Sequence, residues 1–326
     1  MKHKLLRAFY AICLYLGIIR LFYFINRNKQ QILVFHHIIP DEMANGSFEQ
    51  RIVCSTQSHF AWLLAIINKR FHITTALGIP STAVITFDDG YRAALTAKTE
   101  LDKYGNKAYF FVPISVVDGG PLWIDYIMGW FAYAPAGRYT VKGFSFDIDS
   151  QQSRHMAFSS IVDSLYLSGS YNFEDIIAEL ESQYSNKYLG QSPDYFGIRF
   201  EGLRDDEITL LKNEGHKIAG HSVRHDILSL LSPSALQSDF EQCFAQIGTL
   251  YNSTLYAYPF GHKRDVSCLC IKTCSESRFN SAVMNEYVAH ATPYSISRLN
   301  ISGYKTRAEV EAALSGFTRW LKKFLK

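Results

Sequence analysis

From Gln31 onward, short runs of β-branched and aromatic residues alternate with stretches whose apolar positions recur at helical spacing. The runs that read as strands are Ile32–His36, Ala83–Phe87, Lys107–Val112, Lys217–Gly220, Thr254–Tyr258, Asn280–Met284 and Ser295–Leu299. Helical spacing falls over 48–70, 91–104, 204–214, 232–251 and 306–325. Asp205 and Asp206 open the third of these and Gly215 closes it, and Pro233 occupies the permitted first turn of the fourth. Strands and helices in alternation predict an α/β fold with a parallel sheet or barrel. One interval breaks the rhythm. Between Val112 and Arg204 the gap is too long for a plain connection, so it is expected to be a helical insertion over about 114–203, with helices at 123–134, 150–168 and 173–186. Its rings, Trp123 among them, are of a kind that stacks on sugar faces or fills the insertion's own core.

The first thirty residues form a unit of their own. Lys2, Lys4 and Arg7 precede an apolar aromatic stretch, Arg20 interrupts it, and Arg27 and Lys29 follow. Arg20 is awkward for a spanning helix, and the absence of a small-x-small site before Ile32 argues against a cleaved secretion signal. The pattern fits a helix contacting a membrane surface through residues 5–27, or equally a surface helix packed on the barrel. A place in the bacterial cytoplasm or on the cytoplasmic membrane face is the corresponding expectation. With 48% apolar residues there is ample material for a core. Lys and Arg number 33 against 30 Asp and Glu, which leaves no broad basic field, so nucleic acid is not an expected partner. The cluster Cys268-Leu-Cys270-x3-Cys274 lacks a second half for a zinc site and reads as reduced thiols on a helix.

Two constellations carry chemistry. Thr86-Phe87-Asp88-Asp89-Gly90 sets two carboxylates where a strand turns toward a helix, at the mouth that α/β folds use for reactions, although Asp-Asp-Gly is also an ordinary turn composition. His221-Ser-Val-Arg-His225 again follows a strand, and two imidazoles at that spacing converge on one ion. Together they suggest Asp89, His221 and His225 as ligands of a divalent metal, zinc above all, and Asp88 as the base that deprotonates an attacking water. Tyr256-Ala-Tyr258-Pro259-Phe260-Gly261 follows a further strand, where the Phe260 N–H is placed to steady an oxyanion and Tyr258, Pro259 and Trp123 are candidate substrate contacts.

The order Thr-Phe-Asp-Asp-Gly, His-Ser-x-x-His, Tyr-Pro-Phe-Gly resembles the polysaccharide deacetylases, the NodB-homology carbohydrate esterases, and the opening Ile32-Leu-Val-Phe-His36 is similar to their first strand. The resemblance covers about 31–302, between the N-terminal 1–30 and a C-terminal amphipathic helix over 303–326. It implies a distorted (β/α) barrel of TIM-like type and a metal-dependent hydrolysis of N-acetyl, less often O-acetyl, groups on a glycan partner. Family members with such an opening act on surface polysaccharides or lipid-linked precursors. Two departures stand out. Where the family has Arg two residues before the Pro, this chain has Ala257, and Arg298 is the candidate to replace it. The late Leu-x-x-His acid is missing, leaving His36 first, then His37, His290 and His262. A glycan-binding scaffold without turnover and an amidohydrolase of small cyclic amides are the competing expectations.

Overall fold

The computed structural model describes residues 2–117, 119–168, 173–184 and 193–324. Its centre is a nine-stranded sheet in which every recorded pair is parallel. Outward from Gln31–Phe35 on one side come Thr82–Phe87, Tyr109–Val112, Lys217–Gly220, Leu255–Ala257, Ser281–Met284 and Ile296–Ser297 in turn. Leu299–Asn300 lies on the other side, and His72–Ile73 pairs with the start of Thr82–Phe87. The strands Gln31–Phe35 and Thr82–Phe87 are buried along their whole length, as parallel strands covered on both faces must be.

The two ends of this sheet are one piece of chain. Ile296 and Ser297 pair with Val283 and Met284, whereas Leu299 and Asn300 pair with Leu33 and Val34. Arg298 is the residue between, its N–H donating to the Met284 carbonyl at 2.8 Å. The expected strand Ser295–Leu299 is therefore two short pairings, and the change of partner at Arg298 brings the sheet round into the distorted barrel.

Elsewhere the expected elements hold with particular changes. The helix expected over 48–70 is split into Phe48–Val53 and Gln57–Asn68, because Cys54–Thr56 extends to pair with His37–Ile39. The C-terminal helix breaks at Gly316, whose φ of 84° suits glycine, into Arg307–Leu314 and Phe317–Phe324; residue 325 lies outside the described residues. In the insertion, helices Trp123–Tyr133, Gln151–Ser168 and Phe173–Gln183 stand where expected, residues 185 and 186 lying outside the description. Between the first two of them the structure adds an antiparallel hairpin, Gly137–Val141 with Phe144–Ile148, turning at Lys142 and Gly143 with positive φ at both.

Helices Lys2–Tyr15 and Ile18–Ile25 meet at Gly17 with a bend of 73°; neither alone is long and apolar enough to cross a membrane. Tyr10, Cys13 and Ile19 pack on Ala308, Ala312 and Phe317, and Arg7 pairs with Glu309 at 3.0 Å. Leu5, Phe9, Ile12, Leu16, Leu21 and Phe24 remain exposed on the other side. One face of this segment thus packs on the protein, and the other is open and apolar. Cys268, Cys270 and Cys274 are free thiols on helix Cys268–Glu276, the last two buried.

A buried charge network ties the insertion to the barrel. Arg199, fully buried, contacts Glu49 at 3.0 Å and Asp125 at 2.8 Å, and Tyr133 and Tyr195 donate to the same Glu49. Burial pushes the Glu49 carboxyl up, and the Arg199 charge together with the hydrogen bonds from Tyr133, Tyr195 and Arg199 more than reverses this, leaving it below its ordinary value. Replacement Arg199→Met is expected to lower the unfolding free energy by roughly 3–5 kcal/mol, since it strands two buried carboxylates. Denaturant titration measures this, and a loss under about 1 kcal/mol would contradict it.

Candidate active site

Asp88 and Asp89 follow the strand Thr82–Phe87. An extended chain would send consecutive side chains to opposite faces, but Asp89 has a left-handed φ of 77°, which ends the extension and keeps both carboxylates at the barrel mouth. Ser222, His225 and Phe260 also have positive φ, at 65°, 58° and 59°. Such backbone is sparsely populated by non-glycine residues and persists where the surroundings impose it. Gly220, just before His221, permits a close approach: a Cβ there would meet the Cys243 sulfur at 2.7 Å and the Phe279 ring at 3.0 Å.

Asp89, His221 and His225 converge, their ligand atoms lying within 4.8 Å of one another, and all three are buried. His221 Nε2 is 3.5 Å and His225 Nε2 3.3 Å from Asp89 Oδ1. The His221 Nδ1–H donates to the Ala257 carbonyl at 2.8 Å, which leaves Nε2 as the lone-pair nitrogen facing Asp89. That Nε2 is buried with no hydrogen-bond partner among the described residues. A buried imidazole nitrogen without a donor, beside a carboxylate and a second imidazole, fits a divalent cation, and the two-nitrogen, one-oxygen set suits zinc with open positions. Burial pulls the Asp89 carboxyl up, but His221, His225 and His37 around it hold it well below its ordinary value.

Asp88 is gripped by Arg298. Nη1 and Nη2 donate to Oδ1 and Oδ2, each at 2.6 Å, and Nη1 also reaches the Thr86 hydroxyl at 3.0 Å. Burial would raise the Asp88 carboxyl, and the buried guanidinium, aided by His221 and His36, overrides it, so the group lies below its usual range. The Arg298 guanidinium lies 5.3 Å from the Phe111 ring centre, and Phe111 in turn packs with Ala219 and Ala257. The small side chain at 257 belongs to the apolar layer beneath the guanidinium, which enters from a different strand.

At the Pro259-Phe260-Gly261 turn, the Gly261 N–H donates to the Pro259 carbonyl at 2.6 Å. In a trans peptide the Phe260 N–H then points the opposite way, and it has no acceptor among the described residues. The Phe260 carbonyl is held by Asn285 Nδ2 at 2.9 Å, and its ring packs on His225 at 4.7 Å.

Three expected substrate contacts need correction. Tyr258 is fully buried among Phe240, Tyr256 and their neighbours, with its hydroxyl donating to the Tyr294 carbonyl at 3.0 Å, and Pro259 is buried beside it. Trp123 is only 6% exposed: its indole N–H donates to the His225 carbonyl at 3.1 Å and its ring stacks on Phe173. It braces the histidine loop rather than offering a sugar platform. Of the acid candidates, His262 and His290 are exposed, whereas His36 is half-buried and near enough that its charge acts on both Asp88 and Asp89.

His37, second among the acid candidates, lies at the ligand cluster itself. Its Nε2 lies 3.5 Å from Asp89 Oδ2, its ring faces Tyr91 at 4.6 Å, and Arg199 stands 3.5 Å behind it. Burial, and then the Arg199 charge, depress its pKa. The adjacent pair His36-His37 at a strand end was the available signal. Behind the histidine loop, Asp239 accepts from the Val223 N–H at 2.8 Å, and burial pushes it up to about 7. A carboxyl raised in the folded state contributes stability that is present below its ordinary pKa and is lost as pH rises toward about 7. Asp239→Asn is therefore expected to melt above the wild type by a margin that widens between about pH 4 and pH 7 and then stays level; a constant margin would refute the assignment.

A (β/α) barrel that gathers two carboxylates and two imidazoles at the C-terminal ends of its strands has the build of a hydrolase. Residues 167–274 match the family model for polysaccharide deacetylase, a family whose members hydrolyse carbon–nitrogen bonds other than peptide bonds and are generally dependent on a divalent metal. The matched span holds His221, His225 and the Phe260 turn, while Asp88, Asp89 and Arg298 lie outside it. Among solved structures the fold is similar to Streptococcus pyogenes deacetylase PplD in complex with acetate, at 16% identity and TM-score 0.52, covering 86% of this chain and 96% of that one. It is also similar to BA0330 of Bacillus anthracis, at 12% and 0.52, covering 87% and 68%. BC0361, a polysaccharide deacetylase from Bacillus cereus, has 13% identity and TM-score 0.50, covering 88% and 68%. No curated protein matches the chain.

Proposed function

We propose that the protein is a zinc-dependent deacetylase that removes N-acetyl groups from hexosamine units of a bacterial surface glycan or its lipid-linked precursor. The observation that carries this is the convergence of Asp89, His221 and His225 beside an Asp88 held in a two-point grip by Arg298. An ion held by the three ligands supplies acidity to water and polarises the acyl carbonyl. Asp88 takes the proton of the attacking water. Each of its oxygens spends one lone pair on Arg298 and keeps another for that proton, while the guanidinium fixes the plane of the carboxylate. The Phe260 N–H donates to the oxygen of the acyl group as negative charge builds there. His36, at the mouth and partly open to solvent, is the residue placed to return a proton to the departing amine. The acetate in the PplD structure is the product that such a reaction releases.

The test is acetate release from N-acetylglucosamine oligomers by metal-stripped and zinc-loaded protein. Stripping is expected to abolish release and zinc to restore it. Zinc uptake at one ion per chain with no release from acetylated glycans would overturn the reading.

A further inference from the structure

A cavity of about 940 Å³ adjoins the site. Its lining includes Leu6, Arg7 and Tyr10 of the N-terminal helix and the stretch Arg51 to Thr56. The lining also includes His36, directly after the strand Gln31–Phe35, and Asn300, at the end of the neighbouring strand Leu299–Asn300, so the cavity opens beside the site at the same end of the barrel. Such a volume holds more than one sugar unit.

The charge of this lining is one-sided. Arg7, Arg51, Lys305 and Lys322 face a single carboxylate, Glu309. Glu309 is already engaged by Arg7 at 3.0 Å and by the Lys305 and Thr306 N–H groups. Four cations against one anion leave an excess of three, as large as the formal net charge of the whole chain. Arg51, Lys305 and Lys322 are exposed and have no ion pair among the described residues. A groove for a neutral glycan has no use for that excess, which concave walls focus on whatever enters.

We infer that this cavity is a subsite for a negatively charged unit of the glycan, a sugar carboxylate or a phosphate, next to the acetylated hexosamine at the metal ligands. The inference rests on the deacetylase reading and names the substrate class: an acidic acetylated polymer. Binding to the zinc-loaded full chain is to be measured for a hyaluronan hexasaccharide, in which N-acetylglucosamine alternates with glucuronate, for the neutral N-acetylglucosamine hexamer, and for glycerol phosphate. The comparison protein carries Arg51→Glu and Lys305→Glu, both on exposed side chains outside the catalytic set.

The wild type is expected to bind at least one of the two anionic probes about tenfold more tightly than the double variant does, with the advantage shrinking as salt is added. Hexamer affinity, and hexamer turnover where present, should be equal in the two proteins. An advantage confined to hyaluronan marks the carboxylate as the recognised group, and one confined to glycerol phosphate marks the phosphate. If the double variant binds both anionic probes as well as the wild type does, the inference falls. A charge-dependent preference without acetate release from any glycan would keep the subsite and remove the deacetylase reading, so the two fail separately.

Discussion

Asp88→Asn is expected to lower kcat/KM for an acetylated glycan by about 10³, within the 10²–10⁴ that a positioned general base contributes, with zinc content unchanged. The amide keeps the size of the side chain and one acceptor for Arg298, but it has no lone pair basic enough to take a proton from water. Zinc binding is expected to survive because the candidate ligands are Asp89, His221 and His225, not Asp88. The substitution also leaves the fully buried Arg298 short of its counter-charge, which is costly in a low-dielectric interior. Rate, zinc content and melting temperature are therefore to be read together. A folded, zinc-replete variant that retains more than a tenth of wild-type turnover would remove Asp88 from the role of base.

Arg298→Ala is expected to reduce kcat by about a hundredfold, the equivalent of a charge-assisted two-point hydrogen bond, and to change the pH profile in a definite direction. In the wild type the guanidinium holds Asp88 below the ordinary carboxyl range against the pull of burial. Its base form is then present throughout the neutral and mildly acidic range. Without Arg298 burial is opposed only by the nearby His221 and His36, the carboxyl rises, and the acid limb of kcat/KM moves to higher pH. The rate near pH 6 should fall further than the rate near pH 8. Arg298→Lys restores a charge without the planar fork, so it should return the limb part of the way and leave kcat low. An unmoved limb in the alanine variant would mean that Arg298 does not govern Asp88.

The parts of the site that are local in sequence were legible as sequence. Asp88-Asp89 and His221-x3-His225 each follow an apolar run, and strand ends of a parallel barrel share one mouth, so their meeting follows from topology. Arg298 was accessible by the same logic. What escaped was long-range or depended on facing. Glu49, Asp125 and Arg199 meet from three separate segments, and no spacing announces such a network. The split at Cys54–Thr56 depends on His37–Ile39, a partner in another part of the chain. Tyr258 and Trp123 looked like substrate contacts because aromatic rings beside a motif suit sugars, but nothing local says whether a ring faces the mouth or the packing behind it. The hairpin at 137–148 did carry a signal. Tyr139 and Val141 alternate before Lys142-Gly143, and Phe144, Phe146 and Ile148 after it, at the period of a strand.

Arg298 stands where the sheet changes partners, and this bears on the order in which a growing chain acquires its abilities. Residues 89, 221 and 225 are all synthesised before residue 298, so a nascent chain has all three candidate ligands while its barrel is still open and Asp88 is unheld. The side chain that readies Asp88 arrives on the same few residues that join Met284 to Leu33. On the proposed reading, capacity for an ion precedes capacity for turnover, and the step from one to the other is the closing of the sheet itself.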